Sequence, residues 1–279
     1  MNRLEDTQMG GYTEQELREI FFEALDFFNE ALASGITRDN TVLAFFTPNN
    51  GLEVYERFCR DYFPKNLDED YKAEGYFQSF AAQAFAGGGR YGVMIRSDLD
   101  FRLAELHRIF LHEISHLFCW DNEIEGGGFF DRYCMGSGVE DGMMNAGYAI
   151  WREAVADIMA DAVLSEYTSV TLDDVREEVV RLYHLLSPAD PDSKKGMSLI
   201  LVYIMLTKEV GGAAEWAGAE AQLKKCLGLD DHTLYAIIRM TFENLHNSPF
   251  WSISPEFIME LGETYLSLLS AKFLRENMR

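Results

Sequence analysis

Apolar positions recur every three to four residues from Leu17, through Ile20, Phe21, Ala24 and Phe28, to Leu32. That spacing predicts an amphipathic helix. Thr13 and Glu16 stand where a capping box would start it, and Gly35 where it would end. Thr41–Thr47 is rich in β-branched and aromatic residues and runs into Pro48 and Asn49-Asn50-Gly51, a strand followed by a turn. A short helix is expected over 52–63 and a polar loop over 64–75. Gly87-Gly88-Gly89 precedes a second strand, Arg90–Ser97, and a helix follows over about 100–119. The seven glycines at 126, 127, 128, 136, 138, 142 and 147 predict a long loop or hairpin over 121–147. A strong helix comes next, over 148–166. Helical patterns continue over 172–186, 194–210, 214–226, 231–246 and 255–276, separated by Pro188, Pro191, Gly211-Gly212 and Pro249.

The pattern is α+β in the first half and all-helical in the second. We expect two parts packed as one unit, 1–170 with the small sheet and the chemistry-bearing helices, and 171–279, which is helical. The chain has 279 residues, 48% of them hydrophobic, enough for a sizeable core.

Charge narrows the partners. The formal net charge of -22 would repel a phosphate backbone, so nucleic-acid binding is not expected. The longest apolar run, near Met197–Leu206, is too short to span a bilayer, and the first residues carry no secretory pattern. Cys59, Cys119, Cys134 and Cys226 are scattered without a CxxC pair and read as reduced thiols in a cytoplasmic protein. The oligomeric state is not legible.

The chemistry concentrates in His112-Glu113-Ile114-Ser115-His116. Residues four apart lie on one face of a helix, so both imidazoles can reach one zinc ion. Glu113 projects to the side, where it can meet a metal-bound water. Leu106, Ile109, Phe110, Ile114, Leu117 and Phe118 would bury this helix. Catalytic zinc takes three protein ligands and keeps a fourth position for water. Glu153 is the candidate third ligand. Asp157, one turn on, is placed to accept a hydrogen bond from the far nitrogen of a ligand histidine. Plainer readings stand beside these: His112 and His116 as core or capping histidines, Glu153 as an ion-pair partner of Arg152 or Arg108, and Asp157 and Asp161 as surface acids. His107, His184, His232, His246, Tyr148 and Tyr203 are weaker candidates for oxyanion stabilisation, each more simply a structural residue.

HExxH followed by a helix carrying ExxxD resembles the gluzincins, the thermolysin-like clan of zinc peptidases. The run Glu153-Ala-Val-Ala-Asp-Ile-Met-Ala-Asp-Ala-Val-Leu164 is similar to the "ExxAxxFAxxLL" helix of the small minigluzincin peptidases. The resemblance covers about residues 88–166. It implies a zincin-like fold and one Zn2+ per chain held by His112, His116 and Glu153. It also implies Glu113 as general base and Asp157 as a support for a ligand. The implied function is a zinc-dependent hydrolase, a peptidase acting on peptide or protein. The alternative is a zincin-fold binding or regulatory protein with little or no peptidase activity. The gap from His116 to Glu153 is longer than in the smallest members, and the C-terminal helices match no part of the family pattern. In such peptidases an edge strand runs above the zinc and pairs with substrate. Within the strand Arg90–Ser97, residues 91–96 are the expected edge, with Tyr91, Val93 and Ile95 facing the core and Met94 and Arg96 facing substrate; the plainer alternative is a central strand paired on both sides.

Overall fold

A computed structural model describes residues 10–67, 75–78, 80–101, 103–124, 127–164, 216–228, 235, 239, 253–264 and 266. The expected boundary at 170/171 and the helices at 172–186 and 194–210 lie outside these residues, as does most of 231–246. The described chain is mixed α/β, with a small three-stranded sheet and packed helices. It divides into two compact units. One comprises residues 1–124 and 159–168, the other 125–158 and 169–279.

In the first unit, α1 (Glu14–Ala31) follows β1 (Gly10–Gly11). Thr13 caps it reciprocally: the Glu16 amide donates to Thr13 Oγ1 (3.3 Å) and the Thr13 amide donates to Glu16 Oε2 (2.8 Å). Two of the helix's orphan N-terminal donors are thereby satisfied. The apolar stripe is buried as expected, save that Leu32 serves as the C-cap rather than as a helical residue. Next come β2 (Thr41–Phe46) and α2 (Gly51–Tyr62), then β3 (Ala82–Gly87), β4 (Arg90–Arg96) and β5 (Asp100–Phe101). The last of these pairs with β1. The helix α3 (Leu103–Asp121) follows.

The sheet order is β2-β4-β3. Parallel pairing sets Thr41 opposite Tyr91 and Phe46 opposite Arg96; antiparallel pairing sets Ala82 opposite Ile95 and Gly87 opposite Arg90. The expectation that β4 is an edge strand is therefore wrong, because β4 is the central strand, bonded on both sides. Its expected substrate face is also covered. A Cβ at Gly92 would lie 2.5 Å from the Phe63 ring, and Met94 is fully buried in a cluster with Tyr55, Phe58, Phe63 and Phe85. Arg96 pairs with Asp98 (2.7 Å) and donates to the Gln78 carbonyl (2.9 Å). The sequence reading missed β3 altogether. Gly88 and Gly89, at φ 60° and 73°, close a tight hairpin between β3 and β4, a conformation that glycine adopts without steric cost.

On the other side of the unit, α1 packs along α3, with Phe21 against Phe110 and Phe28 against Phe118, both pairs at 5.5 Å between ring centroids. α3 also packs against β3.

In the second unit, α4 (Gly127–Tyr133) and the start of α5 (Val139–Leu164) occupy the stretch expected to be a glycine-rich loop. This too corrects the sequence reading. Gly147 lies within the helix, where another backbone leaves no room for a side chain. A Cβ there would sit 1.9 Å from the Ile258 carbonyl oxygen, in the helix of residues 255–264, here α7. On α7, a Cβ at Gly262 would sit 1.8 Å from the Met143 carbonyl oxygen. The two helices thus cross with their backbones nearly touching, and any side chain at either crossing residue would hold them apart. Between α5 and α7 in sequence lies α6 (Trp216–Leu227). Among the described residues, no helix is long and apolar enough to cross a membrane.

Candidate metal centre

α3 carries His112, Glu113 and His116. Its burial follows from its sequence: Phe110, Leu111, Ile114 and Leu117 are completely buried, and the Ser115 hydroxyl bonds back to the Leu111 carbonyl (2.7 Å). A helix anchored on those faces has little freedom to rotate, so the remaining polar side chains project in fixed directions. The i,i+4 spacing brings the two imidazoles together as expected, with Nε2 of His112 3.1 Å from Nε2 of His116 and the rings edge to face, 4.7 Å between centroids. Glu113 and His116 are buried.

Glu153 lies on α5, and its carboxylate joins the pair. One ligand atom from each of His112, His116 and Glu153 lies within 4.8 Å of the other two. The three side chains can hold a metal ion. Two imidazole nitrogens and one carboxylate oxygen form a donor set that fits a transition-metal ion such as zinc or iron(II). Among the described residues, no other group of three His, Cys, Asp or Glu side chains converges in this way.

The plainer reading of Glu153 holds as well: Arg152 Nη2 donates to Glu153 Oε1 at 3.2 Å. Asp157 is buried one turn further along α5, which excludes the surface-acid reading for it. The side chain of Asp161 lies outside the described residues.

The weaker candidates separate cleanly. His107 is buried between α3 and α1, with Nε2 3.6 Å from Glu23 Oε2 and its ring 5.8 Å from that of Phe27. Burial pushes its pKa below the usual histidine value, with Glu23 opposing that shift. Tyr148 belongs to an aromatic stack in the second unit, between Phe129 (5.4 Å) and Trp151 (5.8 Å). His184, Tyr203, His232 and His246 lie outside the described residues. Cys59, Cys119 and Cys134 are buried free thiols, and Cys119 donates to the Met159 sulfur at 3.6 Å. The residue whose contact with the site the sequence only half suggests is Arg152, which donates to Glu153. It entered only as an alternative partner for Glu153, and the signal for it was its place directly before that acid.

Comparison of the chain with protein-family models, with curated proteins and with solved structures finds no match.

Proposed function

We propose that this chain is a zinc-dependent hydrolase, a peptidase of gluzincin type with a zincin-like catalytic part. The observation that carries the reading is the convergence of His112, His116 and Glu153 within 4.8 Å, with buried Glu113 beside the first of them. Those three residues would hold one zinc ion. Zinc bound there supplies a Lewis acid that polarises a carbonyl and lowers the pKa of a water towards neutrality.

The chain's own residues do the rest. Glu113, adjacent to His112 and buried, accepts the proton of the attacking water and passes it to the leaving amine. A purely structural metal site has no use for such a carboxylate. Asp157 orients a ligand imidazole, a role its burial one turn from Glu153 supports. An extended peptide is the substrate we favour. Among the described residues β3 pairs on one side only and packs against α3, so it offers backbone groups of the kind such a peptide takes up. The free thiols support a reducing compartment, the cytoplasm.

The test is incubation of the purified protein with a denatured protein mixture, with and without a metal chelator. Cleavage that the chelator stops and added zinc restores is the expected result. Undiminished cleavage in the chelator, or none in zinc-loaded protein, overturns the reading.

A further inference from the structure

Neighbouring residues on a helix point in directions about 100° apart and do not ordinarily face each other. Arg152 and Glu153 are such neighbours, yet Arg152 Nη2 reaches Glu153 Oε1 at 3.2 Å. The arginine side chain bends so that its guanidinium meets that carboxylate. The helix does not impose this contact, which requires one particular path of the arginine side chain. The two side chains differ in exposure, at 42% for Arg152 and 19% for Glu153, so a partly solvated cation holds a mostly covered anion. The same carboxylate is the oxygen donor of the His112–His116–Glu153 group.

We infer that Arg152 is a positioning residue for the metal centre: its charge-assisted hydrogen bond fixes the rotamer in which Glu153 presents its carboxylate to the ion. The inference rests on the zinc reading above. Two effects of the arginine oppose each other. Its positive charge repels a divalent cation and draws density from the ligand, which weakens binding. Its hydrogen bond removes the rotational freedom of a glutamate, which strengthens binding. The charge is nearly half exposed and so is screened by water and salt. The hydrogen bond is direct and charge-assisted, and partners of this kind typically account for 10–100-fold in metal affinity. Orientation therefore outweighs repulsion.

The test uses the full chain, stripped of metal and titrated with zinc against a chromophoric competing chelator, with cobalt substitution as a second readout. Arg152→Met should bind zinc about tenfold more weakly than wild type. Its cobalt visible spectrum should differ from that of wild type, and Arg152→Lys, which keeps a cationic donor, should recover most of the affinity. If Arg152→Met fails to fold, Arg152→Gln takes its place, with a loss in the same direction expected. Equal or tighter zinc binding with an unchanged cobalt spectrum, in a wild type that does bind zinc, overturns the role of Arg152 alone. A wild type that takes up neither metal overturns the zinc reading itself.

Discussion

His112 and His116 hold their Nε2 atoms 3.1 Å apart on one face of α3. Two imidazole nitrogens so close on one helix face can both reach a single metal ion. Zinc should accordingly be found at about one per chain. His112→Ala and His116→Ala should each abolish stoichiometric binding, measured by elemental analysis after gel filtration. Glu153→Ala should weaken binding more than Asp157→Ala, because a lost ligand bond outweighs the roughly 10–100-fold effect of a lost supporting hydrogen bond. A reversed order in chelator competition would exchange the two roles.

Glu113→Gln should retain zinc while turnover falls by at least about 10²–10⁴-fold, the usual contribution of a positioned general base. The amide keeps the shape of the carboxylate but cannot take the proton. Near wild-type turnover on a peptide substrate would remove Glu113 from the chemistry.

Glycines on α5 should respond in opposite ways. Gly147→Ala forces a methyl to within 1.9 Å of the Ile258 carbonyl oxygen, so the crossing with α7 must open. A loss of about 1–3 kcal/mol or more is expected, as for other overpacked sites. Gly142 has no atom within 4 Å of a Cβ built on it, and it is exposed on the same helix. Gly142→Ala should stabilise by about 0.5–1 kcal/mol by lowering the entropy of the unfolded chain. Thermal unfolding of both variants checks the pair, and a Gly147→Ala variant as stable as wild type would contradict the close crossing.

Burial lowers the pKa of His107 in the folded state from 6.5, with the Glu23 carboxylate as the opposing influence. Below pH 6.5 the unfolded chain therefore binds a proton that the folded chain refuses. Stability should fall as pH drops from 6.5 towards the lower folded-state value, and above 6.5 this residue should have no effect. His107→Phe, which keeps an aromatic ring beside Phe27, should flatten that decline. Glu23→Gln should steepen it. Melting temperatures from pH 7.5 to 5 test this, and identical slopes for wild type and His107→Phe would dismiss it.

Several elements were legible because their causes are local. The Thr13–Glu16 capping box, the stripe from Leu17 to Phe28 and the strand from Thr41 each depend on residues a few positions apart. The histidine pair is also local, since one helical turn separates the two side chains. Glu153 was legible only as a candidate, from the rule that a catalytic zinc takes a third protein ligand, and the structure places a carboxylate oxygen of it within 4.8 Å of both histidines.

Tertiary structure decided the rest. β4 carries the composition of an edge or a centre equally well. Its place between β2 and β3 depends on pairing with residues 41–46, some fifty positions away, and with 82–87 across the Gly88-Gly89 turn. The glycines of 121–147 signal a loop to any local rule. Gly147 instead lies in a helix, and it is a glycine because Ile258 and Gly262, more than a hundred residues away, bring a backbone close enough to exclude a side chain. Hydrophobic period and capping act within a turn or two of chain. Strand order, helix crossing and ligand convergence are set by which distant surfaces exclude water together, and that is a property of the folded chain.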